Sequence, residues 1–163
     1  MERWVRWILL RPGFISLKTY GSSLWDWGVV RSTEGNWIFG FTWHACVCDS
    51  LRTKLLAILR GLSLCWEHGH RRVEFFIDSL LALGLITAYH PLLHQYACII
   101  GSIKSLLRRS WVVHCRHKLR EGNVVADHLA KLGSTHASVV SVWSAPLDGL
   151  CPFCKLMYLV WLF

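Results

Sequence analysis

The sequence lacks an uncharged apolar stretch long enough to cross a membrane. The nearest candidate, between Val73 and Ile103, is interrupted by acids, histidines, a glutamine and a proline. Near the amino terminus only four apolar residues follow Arg6, too few for the apolar part of a signal peptide. Internal repeats and low-complexity segments are also absent. These absences predict a soluble intracellular protein that has no membrane partner.

Acidic residues are scarce as well. The 163 residues include 10 Asp and Glu against 18 Lys and Arg, which gives a net charge of +8 at pH 7. A basic excess of this size favours polyanionic partners, because each neutralised phosphate releases counterions; basic proteins without such partners are nevertheless common. Hydrophobic residues make up 53% and charged residues only 17%. That balance excludes a disordered chain and permits one domain with a real core.

The cysteines do not form a disulfide framework. Their number is odd, seven, and they are scattered through regions that are typical of strands and helices, which indicates a reducing compartment. Cys151 and Cys154 form a lone Cys-x-x-Cys pair. A zinc site needs a second pair, and Cys46 and Cys48 have the wrong spacing to supply it. The sequence therefore disfavours metal or redox chemistry at these residues.

Hydrophobic periodicity predicts five strands and four helices. The strands span residues 14–20, 25–31, 37–43, 72–77 and 111–117. The first helix runs from about Asp49 or Ser50, either of which can serve as its N-cap, to Trp66, and the others span 79–88, 92–107 and 123–132. Short turns make the first three strands antiparallel neighbours, whereas a full helix before the fourth favours a parallel pairing. The pattern alone predicts one α/β or α+β domain. We expect a leader over 1–13, the domain over 14–133, and an apolar carboxyl-terminal tail of unknown role over 134–163, loop-like as far as Asp148.

Two motifs and their order are more specific. In Val73-Glu74-Phe75-Phe76-Ile77-Asp78-Ser79 an acid ends a strand, and in the run from Arg120 to Gly133 a single acid, Asp127, lies in the first turns of a helix. His117 closes the strand before that helix. This arrangement resembles the ribonuclease H family, and most closely the ribonuclease H-like domain of plant non-LTR retroelements and their domesticated relatives. The resemblance implies an α/β fold, with a mixed five-stranded sheet whose first three strands are antiparallel and whose faces carry helices.

The resemblance also implies a site. The family hydrolyses the RNA strand of RNA–DNA hybrids with two Mg²⁺ ions held by four carboxylates. Asp78 and Asp127 match two of those acids and would be the metal ligands, and His117 matches a mobile histidine that assists product release. Each also has a structural alternative: a helix cap for Asp78, a charge that complements the helix dipole for Asp127, and a satisfied strand-end histidine for His117.

The other two acidic positions of the family are changed. Tyr20 stands in Thr19-Tyr20-Gly21-Ser22 where the family has an aspartate, and Lys54 stands where it has a glutamate. With Asp78 and Asp127 these positions supply −1 instead of about −4, and Lys54 is able to pair with either aspartate. We therefore expect no catalytic pair of Mg²⁺ ions and an impaired or inactive enzyme, unless an acid such as Asp26 or Asp49 substitutes.

Nucleic-acid binding is a separate expectation. A basic edge beside the site comprises Arg116, Lys118 and Arg120 with His117, and further candidates are Arg31, Arg52 and Lys131. Hybrid recognition in the family rests on backbone and 2′-OH contacts, so weak and salt-sensitive binding of an RNA–DNA hybrid or RNA is expected. The alternative for the basic edge is a solvated, charged strand end. The alternatives for the function of the whole chain are a non-catalytic interaction module and a decaying retroelement remnant.

Overall fold

The computed structural model describes residues 10–21, 25–44, 49–88, 94–118 and 140–145, with only the backbone described at residues 20, 21, 25 and 140. The six strands are β1 (Ile15–Gly21), β2 (Trp25–Arg31), β3 (Trp37–His44), β4 (Arg72–Ile77), β5 (Val112–His117) and β6 (Val140–Trp143). The three helices are α1 (Ser50–Glu67), α2 (Leu80–Thr87) and α3 (Ala97–Leu107). The predicted leader residues 1–9, the predicted last helix and the apolar tail from residue 146 onward lie outside the described residues.

The strands form one mixed sheet in the order β5-β4-β1-β2-β3-β6. β1, β2 and β3 are antiparallel neighbours, and β4 pairs in parallel with both β1 and β5. The predicted mixed sheet, with its first three strands antiparallel and helices on its faces, is confirmed. The five predicted strands agree with the structure to within one residue at each end.

The sixth strand corrects the sequence prediction. The sequence predicts a loop from Ser134 to Asp148, but Val140–Trp143 pairs antiparallel with β3, and the Trp37 indole N–H donates to the Trp143 carbonyl oxygen at 3.3 Å. A segment of four residues is too short for an alternation of apolar and polar residues to distinguish a strand from a loop. Pairing with a strand about a hundred residues away therefore decides their conformation.

Side-chain caps fix where two helices begin. The Asp49 carboxylate accepts a hydrogen bond from the Arg52 N–H at 3.0 Å at the start of α1, and the Ser79 hydroxyl accepts one from the Ala82 N–H at 3.2 Å at the start of α2. The third helix, predicted to start at residue 92, begins instead at Ala97. Residues 94–96 form a turn in which the Tyr96 N–H donates to a ring nitrogen of His94 at 3.1 Å.

The core lies between the sheet and the three helices. Its fully buried side chains include Leu17 and Phe75 from the sheet, Leu55 and Ile58 from α1, and Ile103 from α3. The three cysteines among the described residues (65, 98 and 115) are free thiols. Among the described residues, no helix has the length and apolarity that a membrane span requires.

Candidate functional site

The carboxyl ends of the three parallel strands bring three of the predicted site positions to one edge of the sheet. Lys18 of β1 pairs with Phe76 of β4, so Tyr20 and Asp78 each follow that pair by two residues. Ile77 of β4 pairs with His117 of β5. The Lys118 N–H then donates to the Ile77 carbonyl oxygen at 2.9 Å, which holds the end of β5 beside Asp78.

An ion pair joins Asp78 to α1. The Lys54 ammonium lies 3.7 Å from a carboxylate oxygen of Asp78, and the two side chains are 22% and 10% exposed. The pairing of Lys54 with an acid of the site, predicted from its charge, is confirmed for Asp78. The alternative in which Asp78 caps the next helix is wrong, because Ser79 provides that cap.

The other predicted site residues are placed to different extents. His117 is half-buried at the end of β5, and its role in product release stays a prediction. Tyr20 is placed by its backbone alone. Asp127, Arg120 and Lys131 lie outside the described residues, and so do Cys46, Cys48, Cys151 and Cys154 of the weighed metal or redox sites.

Arg116, expected to contact nucleic acid, has a partner inside the protein. Its Nε lies 2.9 Å from a carboxylate oxygen of Glu74, and His114 Nδ1 lies 3.1 Å from the other oxygen. The Arg116 pair is an ion pair without an aligned hydrogen bond, since that Glu74 oxygen has no hydrogen-bond donor among the described residues. Glu74 is 1% exposed, and the sequence analysis does not single it out. The sequence signal that could have identified Glu74 is an acid flanked by apolar residues within a strand.

Two further basic candidates differ in position. Arg31 is 3% exposed. In the ladder between β1 and β2 it is the register partner of Ser16, near the amino end of β1, whereas Tyr20 lies near the carboxyl end of that strand. Its proposed contact with nucleic acid is therefore wrong. Arg52 is exposed in the first turn of α1, two residues before Lys54, and Lys118 directly follows β5. These two positions agree with a basic edge beside the site.

A second buried carboxylate lies in β2. Asp26 is fully buried, and one of its oxygens accepts a hydrogen bond at 2.8 Å from Arg60 of α1, whose guanidinium stacks 3.7 Å above the Trp43 ring. Burial raises the pKa of Asp26 to about 7, although the charge and hydrogen bond of Arg60 lower it. Asp26 is thus engaged by Arg60, and Asp49 is engaged as the cap of α1.

Among the described residues, the oxygen donors beside Asp78 are fewer than a pair of Mg²⁺ ions requires. Mg²⁺ requires several hard oxygen ligands in octahedral geometry. Of the four family positions, only Asp78 is a described carboxylate, and an ammonium group occupies one side of it. Over the part of the chain that the structure describes, no three His, Cys, Asp or Glu side chains gather closely enough to hold a metal ion.

A family model and a plant protein are similar to this chain in sequence. Residues 26–133 match the family model described as reverse transcriptase-like. The chain is 28% identical over 136 residues, 80% of its length, to the Arabidopsis thaliana protein At1g65750, which is named as a ribonuclease H protein. The chain spans only 22% of that relative.

Solved structures share the fold. Ribonuclease H1 of the archaeon Halobacterium salinarum superimposes with a TM-score of 0.63 at 18% identity, over 71% of this chain and 93% of that one. LC11 ribonuclease H1, isolated from compost by a metagenomic approach, was solved in complex with an RNA/DNA hybrid. That complex superimposes with a TM-score of 0.59 at 18% identity, over 71% of this chain and 92% of that one. At such identities the similarity establishes the fold.

Proposed function

Because this chain belongs to the reverse transcriptase-like family of ribonuclease H domains, we propose that it is a nucleic-acid-binding member that no longer hydrolyses the RNA strand of RNA–DNA hybrids. The ion pair between Lys54 and Asp78 carries the proposal. Lys54 occupies the helix position where the family has a glutamate, and its ammonium lies where a divalent cation would need an oxygen ligand. The aspartate is thus neutralised from within the protein.

Charge arithmetic supports the same conclusion. Asp78 and Asp127 contribute −2, Lys54 contributes +1 and Tyr20 contributes nothing, which leaves −1 where the family has about −4. A Mg²⁺ ion bound at Asp78 would also have to approach the Lys54 ammonium, and two cations at contact distance repel each other strongly in a half-buried site. A phenol, which ionises only near pH 10, is a poor Mg²⁺ ligand.

Binding of nucleic acid is retained in this proposal. One of the solved neighbours was crystallised with an RNA/DNA hybrid, and the fold is shared. Lys118 and Arg52 lie at the site's edge, and Arg120 follows Lys118 by two residues. Arg116 adds less, because Glu74 balances its charge. A surface that contacts two or three phosphates should bind hybrid weakly and lose affinity as salt is raised.

The first experiment measures cleavage of a labelled RNA–DNA hybrid by the purified full chain, in Mg²⁺ and then in Mn²⁺. We expect no cleavage above buffer, together with a salt-sensitive shift of the hybrid in low salt. Cleavage that disappears in Asp78→Asn would overturn the proposal, because it would show that the remaining carboxylates suffice. A chain that neither cleaves nor shifts the hybrid would instead support a remnant without biochemical function.

A rescue variant tests the cause of the inactivity. Tyr20→Asp with Lys54→Glu restores the family's acids, so the variant should cleave hybrids in Mg²⁺. Before metal is added, its clustered carboxylates should repel one another and lower the melting temperature. At Mg²⁺ about tenfold above Kd the gain is about 1.4 kcal/mol, or roughly 3–6 °C, whereas the parent chain should not respond. Adding Asp78→Asn to the variant should abolish both effects; a folded double variant that ignores Mg²⁺ would contradict this account of the inactivity.

A further inference from the structure

Arginines precede each of the three parallel strands. Arg11 lies in the turn before β1, Arg71 directly precedes β4 and Arg72 is its first residue, and Arg108 and Arg109 lie in the turn before β5; all five are exposed. Parallel strands place their amino ends at a common edge, so these residues share one surface, here called the basic end. A six-residue strand is about 20 Å long, and the basic end therefore lies about 20 Å from Asp78, at the opposite edge of the sheet.

Two contacts hold the three turns beside one another. The Val112 N–H donates to the Arg71 carbonyl oxygen at 2.8 Å, which joins the turn before β5 to the start of β4. The Arg72 guanidinium lies 3.5 Å from the position that a Cβ on Gly13 would take, so the turn before β1 packs beside it. The arginines are thus on fixed neighbouring turns instead of on separate loops.

An indole platform orients two of the guanidinium groups. Arg71 stacks 3.8 Å from the centre of the Trp66 ring and Arg109 lies 5.1 Å from it, while Trp111 meets the same ring edge-on. Arg71 Nη1 also donates to the Trp66 carbonyl oxygen at 2.8 Å. Stacking of this kind restricts the side chains before any ligand arrives, and it lowers the entropy cost of binding.

The charge of the basic end is largely uncompensated. Among the described residues, five arginines and one nearby acid, Glu67, give +4, which is half of the net +8 of the chain. Among the described residues, no carboxylate forms an ion pair with any of the five; the described pairs involve Lys54, Arg60, His114 and Arg116. Guanidinium groups gathered on one surface without acid partners among the described residues are typical of a binding site for polyanions.

A groove continues from this surface between α1 and α3. It begins at Trp66 and Arg109 and has a volume of about 680 Å³; its polar lining comprises the hydroxyl groups of Ser63, Ser102 and Ser105 together with the carboxylate of Glu67. Arginine forks and hydroxyl groups both donate hydrogen bonds to phosphate oxygens without reading bases. The volume lies within the range of small-ligand pockets, which suits the width of one strand better than that of a duplex.

We propose that the basic end and its groove bind the phosphodiester backbone of single-stranded nucleic acid, separately from the hybrid site at the other end of the sheet. This surface does not depend on the absence of cleavage, so either proposal can fail alone. A strand held here would leave the site about 20 Å away open to a hybrid. Because the protein would contact phosphate, RNA and DNA of equal length should bind with affinities within about threefold of each other.

The test uses the full chain and fluorescence anisotropy with a labelled twelve-nucleotide single strand, as RNA and as DNA, and with a blunt hybrid. Arg108→Gln with Arg109→Gln should weaken binding of both single strands at least tenfold in low salt. Each phosphate that is no longer neutralised should reduce the slope of log K against log salt by about 0.7, or about 1.4 for the two arginines together. Hybrid binding should change less than twofold. Circular dichroism and thermal melting establish that each variant is folded.

Two control variants make the outcome decisive. Arg52→Gln with Lys118→Gln removes the same charge at the site's edge, so it should weaken the hybrid and leave the single strands within twofold. Arg108→Lys with Arg109→Lys keeps the charge but removes the forks, and we expect it to recover only part of the affinity. An equal weakening of single-strand binding in the Arg52 and Lys118 control would overturn the proposal, since net charge alone would explain it. Equally tight binding of a poly-glutamate peptide of matching charge would overturn it as well.

Discussion

Asp26 is fully buried in β2, and a single arginine of α1 contacts its carboxylate at 2.8 Å. The second carboxylate oxygen has no hydrogen-bond partner among the described residues. Burial disfavours the charged form more than Arg60 favours it, so the pKa is raised from an ordinary 3.8 to about 7. A carboxylate in this state links the stability of the fold to pH.

The sign of that linkage gives the first prediction. The folded protein holds the Asp26 proton up to about pH 7, whereas the unfolded chain releases it near 3.8. The stabilisation from Asp26 is therefore complete below about pH 4 and is lost as the pH rises through 7. In urea titrations between pH 4 and 8, the free energy of unfolding of the parent should fall relative to that of Asp26→Asn. A difference that is constant with pH, or grows as the pH rises, would contradict the raised pKa.

Arg60 provides the companion measurement. In Arg60→Met nothing offsets the burial of Asp26, so the pKa of that carboxyl should rise further and the fall in stability should extend to higher pH. At pH 8 the variant should lose about 3–5 kcal/mol, the usual cost of leaving one member of a buried pair without its partner. At pH 4, where Asp26 is protonated, the destabilisation should be smaller. Equal destabilisation at both pH values would assign the effect to packing on Trp43 instead.

At the scale of elements, α1 lies unusually close to β1. A Cβ on Gly61 would approach Thr19 Cγ2 to 2.8 Å and Leu17 Cδ1 to 3.2 Å, whereas a Cβ on Gly101 in α3 would meet no atom within 4 Å. Alanine at either position gains about 1 kcal/mol of helix propensity. At Gly61 that gain is opposed by overpacking of about 1–3 kcal/mol. Gly61 is therefore a packing requirement where α1 meets β1.

The two glycines make a matched pair of variants. Gly101→Ala should raise the free energy of unfolding by about 0.5–1 kcal/mol, and Gly61→Ala should lower it by up to about 2 kcal/mol. Urea denaturation of the two variants and the parent gives both values. Equal stability of the two variants would contradict this packing requirement. It would mean that α1 can move away from β1 without cost, although Leu17 is completely buried.

The elements also show what sequence can predict. Strand and helix limits follow from local alternation, caps and turns, so five strands and α1 are predictable to within about one residue. The Lys54–Asp78 pair is predictable because a reversed charge at a family position needs a partner. Glu74 and Asp26 are not, because their partners depend on strand register and on helix–sheet packing, which join residues 40 and 34 positions apart. β6 escapes prediction for the same reason.

At the scale of the whole molecule, the two ends of the parallel strands differ in charge. The carboxyl ends carry the ion pair of Lys54 and Asp78 with Arg52 and Lys118 at its edge, whereas the amino ends carry five arginines. In a two-metal enzyme the carboxylates balance most of the charge of the two Mg²⁺ ions, so the metal site itself adds little net positive charge. In this chain the field that attracts polyanions is concentrated at the amino ends. If the metal site is lost as proposed, the arginines at the amino ends still attract nucleic acid.

The sixth strand closes one edge of this sheet and gives the last prediction. β6 pairs with Gly40 to Trp43 of β3, so a chain ending at residue 139 would expose the backbone donors and acceptors of an aromatic-rich edge strand. Removing about two or three ladder hydrogen bonds at about 1 kcal/mol each should lower the melting temperature by roughly 4–12 °C and promote aggregation. A chain ending at residue 145 keeps β6 and is the matched control, while both lack the same later residues. If the two truncated chains melt together, β6 adds nothing to the stability of the domain. If only the shorter chain is destabilised, the folded unit extends through Trp143.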